Sequence, residues 1–182
     1  MDNAQIQNMR ALCVNIGAAI IGCQTAEKLI NLAMQWLFPK EPIRTVEMLE
    51  HLEEEHRRKT LGQFIYALRA RVGLAPDFDA LLGDFLEHRN TLVHDLLRVP
   101  RHTFSTHEGF TRMNEYVLQT ASEAYRLTEI FAAFFDSWTE QIGIRDKLRQ
   151  EHLDVYDSRF FVEIRATITP FLNHLVHEKP NV

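Results

Sequence analysis

Two long stretches of this sequence repeat their apolar residues every three to four positions, with little to interrupt them. The first runs from about Asn3 to Phe38, and the second runs from Ser105 to about Gln141, where Gly143 ends it. This spacing is that of an amphipathic α-helix, whose apolar side chains lie on one face. Only 7 Gly and 6 Pro occur among the 182 residues, which is too few turn residues for a sandwich or barrel of many strands. The sequence therefore predicts an all-α protein.

Capping and turn residues divide the rest of the chain into shorter helices. Thr60 followed by Gln63, and Ser105 followed by Glu108, are capping-box patterns that predict where helices begin. Pro100 forbids the continuation of the helix before it. The predicted shorter helices cover residues 43–58, 61–71, 78–98 and 144–178, the last as one helix or two. We expect one domain over residues 1–182, an antiparallel bundle of four long helices with shorter ones.

Charge and terminal sequence favour a soluble cytoplasmic protein. Twenty Lys and Arg against 25 Asp and Glu give a net charge of −5, so any RNA contact has to be local. The N-terminal residues lack the features of a signal peptide, and the apolar stretch from Ile16 to Cys23 is far shorter than the roughly 20 residues that cross a bilayer. Cys13 and Cys23 have no zinc-site spacing. We therefore expect no membrane contact, no metal and no cofactor.

The helix predicted over residues 78–98, capped by Asp77, carries a charge within its apolar face. Arg89 lies in the middle of that face. Burying an unpaired guanidinium costs several kcal/mol, and Arg does not deprotonate in proteins. We therefore expect Arg89 to have a carboxylate partner, a solvated cleft or an anionic ligand. The apolar residues of this face are Phe78, Leu81, Leu82, Phe85, Leu92, Val93 and Leu96.

A second row of residues, on the flank of the same helix, mixes small, apolar and polar groups. It consists of Gly83, Leu86, Asn90, His94 and Leu97, at steps of three and four residues. Gly inside a helix costs about 1 kcal/mol relative to Ala, and close approach of another backbone is one reason to tolerate it. We interpret this flank as a homodimer or helix-packing contact through Gly83, Leu86 and Leu97. Asn90 and His94 lie one turn apart and could bind the same group.

Arg89 is followed directly by a polar residue, Asn90, and four residues separate Arg89 from His94. This pattern resembles the signature of the HEPN superfamily, small α-helical domains that include many prokaryotic ribonuclease toxins and defence effectors. The resemblance implies metal-independent endonucleolytic cleavage of RNA, in which the 2′-hydroxyl attacks the adjacent phosphate and leaves a cyclic phosphate end. It also implies a homodimer, an RNA substrate and, for a toxin, an antitoxin protein as partner.

The three residue types suit that chemistry as catalytic residues. His94 can take or give a proton near neutral pH, Arg89 can neutralise charge on the phosphoryl oxygens, and Asn90 can orient His94 or the phosphate. One motif supplies one imidazole, whereas a homodimer supplies both an acid and a base. In a straight helix Arg89 and His94 point about 140° apart. Either the Arg side chain curls round, or the helix is distorted, or the two groups come from opposite protomers.

Basic residues that follow the motif are candidate RNA contacts. Arg98, Arg101 and His102 lie within eight residues of His94 and could bind flanking phosphates, or could instead cap the end of the helix. The alternative function for the whole chain is a non-catalytic HEPN-like module for dimerisation or binding. Phenylalanines at core spacing are interpreted as core residues, among them Phe131, Phe134 and Phe135.

Overall fold

The computed structural model of the protein describes residues 3–39, 51, 54, 59–99, 106–151 and 159–177. Its helices are α1 (Asn3–Trp36), α2 (Leu61–Arg71), α3 (Pro76–His94), α4 (His107–Gln141), α5 (Arg145–Glu151), α6 (Arg159–Thr167) and α7 (Leu172–Leu175). Two 3₁₀ turns cover Leu96–Arg98 and Thr169–Phe171, and two short strands, β1 (Gly73–Leu74) and β2 (Val176–His177), pair antiparallel. The described part of the chain is mostly helical, which confirms the all-α prediction.

Capping groups set the helix ends close to the predicted positions. The Thr60 hydroxyl accepts a hydrogen bond from the Gln63 backbone N–H at 3.4 Å, and the Gln63 side chain accepts one from the Thr60 N–H at 2.8 Å, which confirms the capping box before α2. Before α4 the observed cap is Thr106, whose hydroxyl accepts from the Gly109 N–H at 3.2 Å. Ser105, the predicted cap, lies outside the described residues. Gly143 follows α4 with a φ of 74°, the left-handed conformation that favours glycine.

The motif-bearing helix α3 begins and ends earlier than the sequence predicts. It starts at Pro76 rather than Phe78, because proline has no backbone N–H to satisfy in a first turn and its φ already suits a helix. The Asp77 carboxylate accepts a hydrogen bond from the Phe78 N–H at 3.0 Å, within that first turn. The α-helix ends at His94, and the chain continues as a 3₁₀ turn. His94 is therefore the last residue of α3 rather than an interior one.

Two other predicted segments are only partly described. Of the helix predicted over residues 43–58, His51 and Glu54 are described and helical, and the other positions lie outside the described residues. The described residues of the segment 144–178, which are 144–151 and 159–177, contain the three helices α5, α6 and α7, where one helix or two were predicted. The predicted break near Tyr156 lies outside the described residues. Pro170 lies in the 3₁₀ turn that precedes α7.

The chain forms two compact units, the first made of Met1–Ala26 and Ala80–Leu127. Within unit 1, α1 and α4 run parallel: the Asn15 Nδ2 donates to the Asn114 Oδ1 at 2.7 Å, and seven residues later Gly22 faces Ala124. His88 of α3 pairs with Glu123 of α4, and Thr91, three residues later in α3, hydrogen-bonds Tyr116, seven residues earlier in α4, so α3 runs antiparallel to α4. The buried residues of unit 1 come from all three helices and include Leu12, Ala19, Cys23, Leu82, Phe85, Leu92, Met113, Val117 and Ala124.

Unit 2 is made of Glu27–Asp79 and Thr128–Val182. One core cluster holds Ala132, Ala133, Ile164 and Leu172, against which Phe134, Phe160, Ile168 and Leu175 pack. Aromatic pairs add to this core, and their ring centroids lie 5.8 Å apart for Phe38 and Phe134 and 6.2 Å apart for Phe78 and Phe131. Phe131 is fully buried, in agreement with its interpretation as a core residue.

One helix of the described chain, Gln5–Trp36 within α1, is long and apolar enough to cross a membrane, with a mean hydropathy of 1.3. This span is longer than the apolar segment from Ile16 to Cys23, on whose short length the prediction of no membrane contact depends. Core helices of soluble proteins also meet this criterion. Cytoplasmic localisation therefore stays a prediction.

Candidate functional site

The last turns of α3 carry the three residues of the predicted catalytic motif. The Arg89 Nη1 donates a hydrogen bond to the Asn90 Oδ1 at 3.1 Å. Asn90 and His94 are exposed, and Arg89 is half-buried. Because Asn90 and His94 lie one turn apart on the same side of the helix, this hydrogen bond brings the guanidinium toward the side that also carries His94.

The helical geometry removes one of the three ways in which Arg89 and His94 were expected to converge. Helix α3 is α-helical without a break from Pro76 to His94, so no distortion of the helix draws the two residues together. The Arg89 side chain curls toward Asn90 instead, as a long flexible side chain allows. Two arrangements remain: Arg89 and His94 converge within one protomer through this curl, or they come from opposite protomers.

Arg89 is less buried than its position on the predicted apolar face suggests. Four residues of that face are buried as expected, namely Phe78, Leu82, Phe85 and Leu92. Leu81 and Leu96 are half-buried, and Val93 is 42% exposed. Its guanidinium donates a hydrogen bond to the exposed Asn90, and a long side chain of this kind can carry its charge to the surface from a partly buried position. Arg89 therefore does not occupy a closed core position.

The residues predicted to form a dimer contact lie on one flank of α3 and in the 3₁₀ turn that follows it. Gly83 and Leu86 are half-buried, and Leu97, in the 3₁₀ turn, is 67% exposed. Arg98 belongs to the same turn. Its side chain, together with Arg101 and His102, lies outside the described residues. Among the described residues, the predicted dimer contact is therefore only partly accessible, and Leu97 is its exposed part.

A second polar cluster in unit 1 was missed by the sequence analysis. The His88 Nδ1 lies 2.9 Å and 2.8 Å from the two carboxylate oxygens of Glu123, and the side chains are 19% and 12% exposed. The Gln119 Nε2 donates to the same carboxylate at 3.1 Å. Because a carboxylate accepts hydrogen bonds, the imidazole proton lies on Nδ1, and the ring is held in one orientation.

Tyr116 completes this cluster. Its ring meets the His88 imidazole edge-on, with centroids 5.0 Å apart. Burial raises the pKa of the Tyr116 phenol, the negative charges of Glu87 and Glu123 raise it further, and a hydrogen bond with Thr91 opposes them. The phenol therefore keeps its proton to a higher pH than an exposed tyrosine does.

A buried carboxylate in unit 2 was also missed. The Asp136 side chain is 1% exposed and accepts hydrogen bonds from the Arg165 Nε and Nη2, both at 3.0 Å. The Arg145 Nη1 lies 3.5 Å from the same carboxylate and also donates to Glu140 at 2.8 Å. Burial of a carboxylate requires such compensation. Over the described ranges, no group of three or more His, Cys, Asp or Glu side chains is placed to hold a metal ion.

Comparison with protein-family models, characterised proteins and solved structures finds no match to this chain. The resemblance to the HEPN superfamily therefore depends on the motif carried by α3.

Proposed function

We propose that this protein is a metal-independent endoribonuclease of the HEPN type that cleaves RNA in a site shared by two protomers. The observation that carries the proposal is the hydrogen bond from Arg89 to Asn90, at 3.1 Å, on the helix flank that also carries the exposed His94 one turn later. The antiparallel packing of α3 against α4 also supports a helical bundle of this type. We also propose that four long helices of the chain pack as an antiparallel bundle like that of HEPN domains.

The reaction follows from the protonation chemistry of these side chains. His94 of one protomer takes the proton of the RNA 2′-hydroxyl, and the 2′-oxygen forms a bond to the adjacent phosphorus. The bond from phosphorus to the 5′-oxygen breaks, and His94 of the second protomer gives a proton to that oxygen. Arg89 neutralises the charge that develops on the phosphoryl oxygens, and Asn90 holds the guanidinium toward the substrate side. The products are a cyclic phosphate and a 5′-hydroxyl.

The surface of α3 also supports the dimer. Val93 is 42% exposed and Leu97 is 67% exposed, close to Asn90 and His94 in sequence. Exposed apolar side chains rimmed by polar ones are typical of protein interfaces. A contact through Gly83, Leu86 and Leu97 would bring two copies of α3 together. We further propose that the enzyme acts in the cytoplasm as a toxin or defence effector that an antitoxin protein can silence.

The test is cleavage of total cellular RNA by the purified protein in the presence of EDTA. Cleavage is expected for the wild type, and His94→Ala is expected to lower the rate at least about 100-fold, the usual contribution of a general acid or base. His174→Ala serves as the matched control, because it removes an exposed imidazole from α7. Intact RNA with the wild type, or equal rates for the two variants, would refute the proposal.

The same exposed apolar side chains also favour the second candidate, a non-catalytic HEPN-like module that dimerises or binds a partner protein. In that case the protein forms a dimer by analytical ultracentrifugation and leaves RNA intact. Gly83→Trp places a bulky ring in the proposed contact and should dissociate the dimer under either function. RNA cleavage by the wild type is the result that separates the two.

A further inference from the structure

Unit 2 contains a cavity of about 510 Å³ that the proposed ribonuclease reaction does not use. Its walls come from α1, α4 and α5 and the turn between the last two. Among the lining residues are Leu29, Leu32, Trp36, Phe135, Trp138 and Leu148. Small-molecule sites in proteins have volumes of roughly 300–1,000 Å³ and mainly apolar and aromatic linings. The cavity therefore has the size and lining of a small-molecule site.

The polar groups of the cavity wall are already engaged. The Asp136 carboxylate, 1% exposed, is held by Arg165 and Arg145. The Thr139 hydroxyl donates to the Asp136 backbone oxygen at 2.9 Å. A charged ligand would have to exchange its hydration for an apolar wall whose ionic groups are already paired, which is costly. This wall therefore selects against charge in its ligand.

The aromatic part of the wall gives the ligand a surface to pack against. The rings of Trp36 and Trp138 are tilted at 45° with centroids 6.4 Å apart. Both indoles and the Phe135 ring line the cavity. Aromatic side chains bury large areas and contribute strongly when a flat apolar group packs against them.

We infer that this cavity binds a neutral, hydrophobic small molecule that carries a ring system. The volume of the cavity, its aromatic and aliphatic lining and its paired ionic groups all favour such a ligand. It is independent of the ribonuclease proposal, since the residues that carry it belong to unit 2 and the motif belongs to unit 1.

The two tryptophans make the binding directly measurable. The chain contains 2 Trp, and both line this cavity, so energy transfer from tryptophan reports on a probe bound there. The probe is N-phenyl-1-naphthylamine, a neutral aromatic molecule whose emission rises in apolar surroundings. Titration of the full chain should give saturable energy transfer with one probe per chain. Transfer that rises without saturating, or no transfer, would overturn the inference.

Charge variants locate the bound probe. Leu148→Glu places a carboxylate on the half-buried wall and should weaken binding at least about tenfold, because the probe cannot hydrate that charge. Val162→Glu adds the same charge at a position of α6 that is 54% exposed and does not line the cavity, and binding should be unchanged. If circular dichroism shows that Leu148→Glu is unfolded, Ile144→Glu replaces it, since Ile144 lines the cavity and is 37% exposed. Equal affinity in the folded wall variant and in Val162→Glu would overturn the inference.

Discussion

Replacement of Asp136 by Asn changes only one oxygen to nitrogen, yet it should destabilise unit 2 strongly. The carboxylate is 1% exposed and accepts two hydrogen bonds from Arg165 at 3.0 Å, with Arg145 at 3.5 Å. Asn retains one acceptor oxygen, so one charge-assisted hydrogen bond is lost, worth about 1.5–3 kcal/mol. Breaking a fully buried ion pair costs about 3–5 kcal/mol, but the side chains of both Arg145 and Arg165 are 28% exposed, so their charges can be partly rehydrated. We expect a loss of about 2–3 kcal/mol.

The assay is urea unfolding of each variant, followed by the fluorescence of Trp36 and Trp138, which both belong to unit 2. Glu163→Gln is the matched control, because it removes the same charge from an exposed ion pair. The side chain of Glu163 is 52% exposed, and that of its partner Arg159 is 91% exposed. Exposed pairs of this kind contribute little to stability, so no resolvable change is expected. A loss below about 1 kcal/mol for Asp136→Asn, or one no larger than for the control, would refute the argument from burial.

Three further changes test other parts of the structure. Burial raises the pKa of Tyr116 above its usual 10.0, so the folded chain holds this proton more tightly than the unfolded chain. This stabilisation is complete at pH values below the pKa of Tyr116 in the unfolded chain, and it is lost as the pH rises through the pKa of Tyr116 in the folded chain. The urea midpoint should therefore fall more steeply with pH above about pH 9 for the wild type than for Tyr116→Phe. Parallel curves for the two proteins would contradict this. Gly22→Ala should stabilise the protein by about 0.5–1 kcal/mol, because the new Cβ would lie 3.6 Å from the Ala124 Cβ, an ordinary contact; a lower midpoint would show that α1 and α4 pack more closely. Gly143→Ala, at a φ of 74°, should instead lower stability by about 1 kcal/mol, and an unchanged midpoint would argue against the left-handed turn after α4.

Local features were the ones that the sequence could predict. The Thr60 capping box depends on two side chains three residues apart, and α1 depends on a repeating apolar pattern within one segment, so neither needs information from elsewhere in the chain. The end of α4 at Gly143 follows from the preference of glycine for a positive φ. The motif of Arg89 and His94 was visible for the same reason, since both residues lie on one helix.

Features that join distant segments could not be predicted. His88 and Glu123 are 35 positions apart, and Arg165 and Asp136 are 29 apart. The apolar period of a helix says which side is buried but not which residue of another helix lies opposite. Phe135 was interpreted as a core residue because it recurs at core spacing, and it lines the cavity of unit 2 instead. The half-buried state of Arg89 has a different origin, because it depends on the rotamer that lets the side chain donate to the neighbouring Asn90, and helical periodicity does not specify that rotamer.

The most direct test of the proposed chemistry compares an RNA oligonucleotide with a DNA oligonucleotide of the same sequence, both incubated with the protein in EDTA. Attack by the 2′-hydroxyl predicts that RNA is cut to fragments ending in a cyclic phosphate, that DNA stays intact, and that His94→Ala cuts neither. Cleavage of the DNA, or RNA fragments that carry a 5′-phosphate, would contradict this mechanism, and intact RNA would contradict the function itself.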